Sequence, residues 1–350
     1  MRYNDFKLVE AAQLDKERVK KLDRINRKLQ NDPNLVDEVF KELSMKSKDI
    51  EGNFKNRFLD LLDPENTAPE KDQSFSNFLK KYAEVIAECP GTTEEKFAFI
   101  GSLGKKSHID EKKLITPGKQ SWDAWLTGSE FSKKLFDYSF GDPRLTTDNK
   151  GPGEAALAIL SPNIALSLGG SGDIDVNNIP VEVKAAAGKG TGAGRLTPTK
   201  NTLGIYNSQQ VAKMLFPSDP AKQQIIKERY ANCSANAFGN FVQDLELTVD
   251  QCQNLLQNIF REESIQDKVV AVAKKGPQIT GRDLLGLSIF NYGRSQGDEH
   301  FLILVRVNRT SLYFHIDEWE KAHGMQFSLN VFGNDLRTVG QTQIGILKSA

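Results

Sequence analysis

The 350-residue sequence balances 46 Lys and Arg residues against 46 Asp and Glu residues, so its formal net charge is zero. Hydrophobic residues make up 39% of the chain and charged residues 26%, which is typical of a folded protein with two domains or one elaborated domain. The first 150 residues alone carry 27 basic and 27 acidic residues, so no basic domain or tail is expected and any contact with a polyanion must come from a local patch.

Two further features bear on the cellular setting. No apolar run reaches the roughly 18 residues of a membrane span, and the first residues lack the layout of a signal peptide. The three cysteines, Cys89, Cys233 and Cys252, are scattered and form no CxxC pair. These features predict a protein without membrane contact in a reducing compartment, with no structural zinc.

Residues 1–140 are predicted to be mostly helical. Apolar residues recur there at three- and four-residue steps, and Thr92 to Glu95 forms a capping-box pattern. The polar segment 63–74 is interpreted as a linker or loop. The segment 16–28, rich in Lys and Arg, predicts a solvated helix face, or alternatively a phosphate-contacting arm or docking helix. We therefore expect a helical arm or docking domain over 1–140, followed by a second domain over 141–350.

The end of this region is predicted to be a single helical stretch over 119–140. Its large apolar side chains recur at helical spacing, which indicates a buried face packed against a sheet. They are Trp122, Trp125, Phe131, Leu135, Phe136 and Tyr138.

The segment 153–184 is predicted to contain an apolar helix that opens with Glu154, and then two strands. Asn177 and Asn178 separate the strands, and an Asn pair can adopt positive φ at both central positions of a type I′ turn. Counting outward from this turn pairs Ile174 with Val181. The alternation of side chains along a strand then predicts one polar face and one apolar face for the hairpin.

The polar face is predicted to carry Asp173 opposite Glu182, with Lys184 two residues further on. Like charges directly opposite each other in a sheet are unfavourable, and a divalent cation between them would remove the repulsion. Mg²⁺ or Mn²⁺ accepts carboxylate oxygens, can lower the pKa of a bound water and can stabilise charge on a phosphate. The pattern therefore indicates a metal-assisted phosphodiester chemistry.

This pattern, Asp173 followed by Glu182-Val183-Lys184 with an upstream helix glutamate, resembles the PD-(D/E)xK nuclease superfamily over residues 150–215. The resemblance implies a restriction-endonuclease-like mixed sheet flanked by helices. It also implies that Asp173 and Glu182 bind the metal, that Lys184 assists the attacking water, and that Glu154 completes the site. One departure is Gly172, which stands where the family pattern has proline.

Several alternatives to these roles stay open. A Glu-x-Lys triplet also occurs as two solvated residues on an exposed strand edge. Asp175 lies on the same predicted face as Asp173, and a slipped turn would exchange their roles as metal ligand. Glu154 is also explained by the preference of acidic residues for the first turn of a helix.

The stretch from Val183 to Ser218 contains no acidic residue. Its basic residues predict a local positive strip, with Lys189, Arg195 and Lys200 as the candidate nucleic-acid-binding residues. The glycine-rich segment 188–195 could approach a phosphate backbone closely or could be an ordinary surface loop. It is not a dinucleotide-binding fingerprint, because Pro198 and a polar run follow where that motif needs a helix.

The rest of the chain predicts helices and then strands. Helices are expected at 208–216, 220–231, 248–260, 262–274 and 280–291, and strands at 300–307, 311–316, 326–332 and 342–347. This order predicts an α/β (α+β) fold, a mixed sheet flanked by helices. The four histidines show no metal-binding spacing.

The sequence thus predicts a Mg²⁺- or Mn²⁺-dependent DNA nuclease, with DNA as its partner. Two other functions remain open: a structural or assembly protein that retains the nuclease-like fold, and a restriction-type endonuclease. The opening MRYNDFKLVE resembles proteins of large tailed phages. That resemblance implies a location in the cytoplasm of the host cell or in the virion, with other phage structural proteins or further copies of this chain as partners.

Overall fold

The computed structural model of the protein describes residues 85–86, 88–102, 106–140, 142–145, 151–167, 171–186, 194–321, 326–337 and 339–345. The predictions for residues 1–84, among them the basic helix at 16–28 and the linker at 63–74, lie outside these ranges. No helix in the described ranges is long and apolar enough to cross a membrane.

The protein has a mixed α/β fold, which confirms this part of the sequence prediction. The helices of the described part are α1 (Thr93–Ser102), α2 (Glu111–Leu114), α3 (Trp122–Trp125), α4 (Glu130–Ser139), α5 (Pro152–Leu160), α6 (Ser208–Leu215), α7 (Pro220–Arg229), α8 (Phe238–Asp244), α9 (Val249–Ile259), α10 (Gln266–Ala273) and α11 (Gly281–Gln296). Short 3-10 helices are Pro143–Leu145, Ala235–Ala237, Glu263–Ile265, Gly276–Gln278 and Ile316–Lys321.

The described strands are β1 (Gly118–Ser121), β2 (Ile164–Leu166), β3 (Ile174–Val176), β4 (Ile179–Ala186), β5 (Arg195–Leu196), β6 (Asn232–Ser234), β7 (His300–Val305), β8 (Thr310–His315), β9 (Gln326–Ser328), β10 (Asn330–Gly333) and β11 (Thr342–Gly345). Six of them form the largest sheet, in the order β1-β8-β7-β4-β3-β2. Two smaller sheets are β10-β6 and β5-β11-β9.

Local sequence signals set several of these boundaries. The Thr92–Glu95 capping box is confirmed at the start of α1: the Glu95 carboxylate accepts the N–H of Thr92 at 2.8 Å, and Thr92 Oγ1 accepts the N–H of Glu95 at 3.3 Å. The helices predicted after residue 207 and the strands predicted at 300–307 and 311–316 are also confirmed. Helix α11 runs further than predicted and ends at Gly297, whose φ of 77° is the left-handed conformation that commonly stops a helix.

The single helix predicted over 119–140 is wrong. Residues 118–121 form β1, and the chain then makes two helices instead of one. Ser121 caps α3 by accepting the N–H of Asp123, and Ser129 caps α4 by accepting the N–H of Ser132. The chain leaves the helical conformation at Leu126. The strand predicted over 326–332 is likewise divided into β9 and β10.

The chain folds into two compact units. The first contains the described residues up to Thr116, with Gln120–Val183 and Asn308–Ser311. The second contains Pro117–Lys119, Lys184–Val307 and the described residues from Leu312 onward. The boundary predicted near residue 140 stays a prediction.

The core of the first unit is aromatic. Trp122 and Trp125 are fully buried, and their rings pack edge-on against Phe136 with centroid distances of 4.9 and 5.4 Å. Each indole N–H has an acceptor: Trp122 Nε1 donates to the Thr310 carbonyl and Trp125 Nε1 donates to Ser311 Oγ, both at 2.9 Å. Trp122, Trp125, Phe131 and Phe136 therefore lie in the core, as their spacing predicts, and the two tryptophans bond to the start of β8. Tyr138, predicted for the same buried face, is only half-buried, and its hydroxyl donates to Glu88 Oε2 at 3.3 Å.

The second unit has its own core, built by helices α6 to α11 and strands β7 and β8. Phe241 packs edge-on against Phe332 with ring centroids 5.1 Å apart, and Phe301 stacks on Phe314 at the same separation. Helix α11 is buried on several sides, and its residues from Leu287 to Gly293 are all buried. Because α11 has so little exposed surface, close packing against the surrounding elements restricts the positions of its side chains.

His108 is a buried polar side chain in the first unit, only 4% exposed. Ser102 Oγ donates to the Phe99 carbonyl at 2.6 Å, so its 2.8 Å contact with His108 Nε2 requires the imidazole to donate. The other ring nitrogen, Nδ1, is buried and has no hydrogen-bond partner among the described residues. Burial lowers the pKa of His108 from its ordinary value of 6.5 to about 4, and nearby Lys106 acts in the same direction.

The lowered pKa of His108 predicts that the folded protein becomes less stable in acid. His108 takes up a proton near pH 6.5 in the unfolded chain and only near pH 4 in the folded chain. The contribution of the neutral imidazole to the free energy of unfolding is therefore complete above pH 6.5 and is lost as the pH falls toward 4. His108 accounts for about 3 kcal/mol of that loss. Urea unfolding across this pH range measures it. His108→Gln keeps a donor for Ser102 and should flatten the profile.

Candidate active site

The β3–β4 hairpin has the predicted register. Ile174 pairs with Val181, Asp175 with Pro180 and Val176 with Ile179. The two residues of the turn, Asn177 and Asn178, have φ of 52° and 67°. Positive φ at both central positions is the type I′ geometry, and asparagine tolerates it better than most residues because its short side chain can bond locally.

Asp173 lies where the regular pairing of β3 and β4 ends. Its N–H donates to the Val181 carbonyl at 2.9 Å, and its carbonyl accepts the N–H of Ser167 at 3.0 Å. Its carboxylate reaches across the hairpin, where Oδ2 accepts the N–H of Val183 at 3.0 Å. The side chain of Asp173 thus stands beside the Glu182-Val183-Lys184 segment, in the neighbourhood that the motif requires.

Gly172 explains the departure from the proline of the family pattern. Its φ is +76°, whereas proline is fixed near −65°, so this backbone cannot accept proline here. A Cβ on residue 172 would also lie 2.7 Å from the Val181 nitrogen, which is closer than real Cβ contacts allow. Glycine is therefore required by the path of the chain into Asp173.

Glu182 is buried, with 6% of its surface exposed, between the buried Val181 and Val183. Strand β4 is thus covered on both faces at this point, and the alternative of a solvated glutamate on an exposed edge does not apply. Ile174, Val181 and Val183 are buried as the predicted apolar face requires. A buried carboxylate is strongly unfavourable unless hydrogen bonds or charges compensate it.

Lys184 follows Glu182 by two residues on β4, so both side chains leave the same face of the strand. The Lys184 ammonium lies over the ring of Tyr292 on α11, with Nζ 5.8 Å from the ring centroid. Gly194, at the end of the glycine-rich segment, lies beside the Lys184 stem, because a Cβ placed there would be 3.8 Å from Lys184 Cδ. The sequence did not single out Tyr292, since no motif or spacing distinguishes it from the other apolar residues of its helix.

Glu154 and Asp175 are the two remaining predicted metal ligands. Glu154 lies in the first turn of α5, where its Oε2 accepts the N–H of Gly151 at 2.7 Å. This bond caps the helix, which is the alternative explanation for an acid at that position. Asp175 is half-buried at the centre of β3, opposite Pro180 and Ala165.

The predicted nucleic-acid residues lie in the second unit. Arg195 begins β5, is exposed, and donates from Nη1 to the Arg337 carbonyl at 3.1 Å. Lys200 is exposed in the turn that follows. Lys189 lies outside the described residues.

Within the described ranges, no group of three or more His, Cys, Asp or Glu side chains is arranged to hold a metal ion. Among these residues the structure therefore does not gather Glu154 or Asp175 with Asp173 and Glu182 into one ligand group. Mg²⁺, however, often binds through only one or two carboxylates and completes its shell with waters and phosphate oxygens. The carboxylate oxygens of Asp173 and Glu182 are hard donors, and two carboxylates are enough for a site of this kind.

Family models, curated proteins and solved structures were compared with the chain, and none matches it.

The hydrogen bond between Asp173 and Val183 predicts an effect on the free energy of unfolding that can be measured without any assay of activity. Asp173→Ala leaves the Val183 N–H without its acceptor and should lower the free energy of unfolding by about 1–3 kcal/mol. Asp173→Asn keeps an acceptor oxygen and should lose less than half as much. Chemical denaturation measures both, with Asp175→Ala, two residues further along the chain, as control. Equal losses for Asp173→Ala and Asp173→Asn would contradict the assigned bond.

Proposed function

We propose that the protein is a metal-dependent nuclease that hydrolyses phosphodiester bonds at the β3–β4 hairpin. The observation that carries this proposal is the register of the hairpin, in which the Asp173 carboxylate bonds to the Val183 N–H in the middle of the Glu-x-Lys triplet. A two-residue asparagine turn fixes that register, so the juxtaposition follows from the backbone and not from flexible side chains.

In this proposal Asp173 and Glu182 hold Mg²⁺ or Mn²⁺. When bound, such an ion lowers the pKa of a water molecule and stabilises negative charge on a phosphate. Lys184 contributes a fixed cation on the same face of β4, which attracts the phosphate and stabilises the charge that develops on it during attack. Because Glu182 is buried, the dielectric constant around it is lower than in water, and its carboxylate would interact more strongly with a bound cation.

The charge distribution supports a polyanionic substrate such as DNA. The chain between Val183 and Ser218 has no carboxylate side chain, and its Arg195 and Lys200 are exposed. Contacts of this kind to a phosphate backbone bind without reading base sequence and weaken as salt rises. At a coarse level the fold agrees with the proposal, since the antiparallel hairpin lies within a six-stranded sheet of a mixed α/β protein.

A cleavage assay tests the proposal. The wild type is incubated with linear, circular and single-stranded DNA, and with RNA, in Mg²⁺, Mn²⁺, Ca²⁺ or EDTA. We expect cleavage with Mg²⁺ or Mn²⁺, and a loss of about 100-fold or more in Asp173→Asn, Glu182→Gln and Lys184→Met. These variants keep the size of the side chains, and circular dichroism establishes that each is folded.

Two controls accompany these variants. Asp175→Asn removes a neighbouring carboxylate of β3, and Lys227→Met removes an exposed lysine of α7. Both should retain wild-type cleavage. A folded wild type that cleaves none of the substrates with any metal would contradict the proposed nuclease and favour an assembly role. Cleavage that survives in Asp173→Asn and Glu182→Gln would contradict the β3–β4 hairpin as its site. Discrete DNA fragments would identify a restriction-type enzyme.

A further inference from the structure

We infer that Tyr292 is a positioning residue for the proposed reaction: its ring holds the Lys184 ammonium in place on the polar face of β4. This inference rests on the proposed nuclease function. It adds to that function a residue of helix α11, which the Asp and Glu-x-Lys pattern does not include.

The contact between the two side chains has the geometry of a cation–π interaction. Lys184 Nζ lies over the Tyr292 ring, 5.8 Å from its centroid, and such contacts are attractive within about 6 Å. Tyr292 is only 5% exposed, so the interaction is poorly screened by water. Partly desolvated contacts of this type are among the stronger ones.

The ring itself is held firmly. It belongs to α11, whose start is fixed by the Thr280–Asp283 capping box and whose end is fixed at Gly297. It also packs against Phe301 of β7, with ring centroids 6.0 Å apart. Tyr292 therefore provides a rigid surface, and not a second mobile side chain.

Lys184 needs such a surface if it is to act in a reaction. Its ammonium ends a flexible four-carbon stem, and ordering this stem at the moment of reaction opposes catalysis through lost entropy. Gly194 beside the stem contributes no side chain to restrain it. The Tyr292 ring attracts and orients the ammonium without adding a negative charge of its own, so this contact does not neutralise Lys184.

A purely structural Tyr292 would behave differently on substitution. If the ring only fills the core, its loss should affect folding and should act on cleavage whether or not Lys184 is present. If the ring acts through Lys184, a phenyl ring should replace it and an aliphatic side chain should not. Its effect on cleavage should also vanish once Lys184 is gone.

The test compares Tyr292→Phe, Tyr292→Leu, Lys184→Met and the double variant Tyr292→Leu/Lys184→Met in Mg²⁺-dependent cleavage of duplex DNA. We expect Tyr292→Leu to lower kcat about tenfold with little change in KM, and Tyr292→Phe to stay within about twofold of the wild type. In the Lys184→Met background Tyr292→Leu should have no further effect. Phe290→Leu is the matched control, because Phe290 lies on the same helix under Lys268, with Nζ 4.2 Å from its ring centroid.

Wild-type cleavage by Tyr292→Leu would overturn the inference, and so would an equal loss from Tyr292→Leu with and without Lys184. A loss as large in Phe290→Leu would also overturn it, since any buried ring of α11 would then have the same effect.

A spectroscopic measurement separates this inference from the proposed function. Reductive ¹³C-methylation labels the lysines while keeping their charge, and Lys184→Arg assigns the Lys184 signal. An ammonium over a ring gives an upfield-shifted methyl signal, which should persist in Tyr292→Phe and vanish in Tyr292→Leu. An inactive wild type that shows this shift would contradict the nuclease and support the positioning contact. An unshifted wild-type signal would overturn the contact whatever the activity.

Discussion

The register of the β3–β4 hairpin determines the geometry of the candidate site. It depends on two consecutive asparagines, Asn177 and Asn178, that both adopt positive φ. A slip of one residue would exchange the two faces of β4 and move Glu182 and Lys184 to the side now taken by Val181 and Val183. Because those valines are buried, such a slip would place a carboxylate and an ammonium in apolar surroundings, which is strongly unfavourable. Turn chemistry and core burial therefore select the same register.

In the proposed function the Asp173 carboxylate has two roles, one in the hairpin and one at the metal ion. Its Oδ2 accepts the N–H of Val183, which continues the hydrogen bonding of the hairpin beyond the last regular pair. A carboxylate has two oxygens and about four acceptor positions, so a backbone bond does not use up its capacity for a cation. The same bond orients the group and limits its rotation, which is the kind of support that ligands of a metal commonly receive from their surroundings. Structural and chemical roles are thus compatible at this residue.

The sequence predicted what depends on neighbouring residues. The Asn-Asn turn, the alternation along β4 and the Thr92–Glu95 capping box are local patterns, and each is found in the structure. The prediction failed over 119–140, where two local signals competed. The aromatic spacing suggested one helix, whereas the capping residues Ser121 and Ser129 begin two. The sequence did not identify Tyr292, because the contact with Lys184 brings together distant parts of the chain. The sequence did not predict the burial of Glu182 either, because that burial also depends on distant parts of the chain.

The positive φ of Gly172 has a consequence for how this sequence can diverge. Asparagine in place of Asp173 and glutamine in place of Glu182 keep the shape of the side chains and polar atoms for hydrogen bonding, so the hairpin can accept both. Residue 172 has no such freedom, because a side chain there would meet the Val181 backbone. The backbone therefore constrains position 172 more tightly than the two acidic positions of the hairpin, and related sequences should vary at the acids before they vary at this glycine.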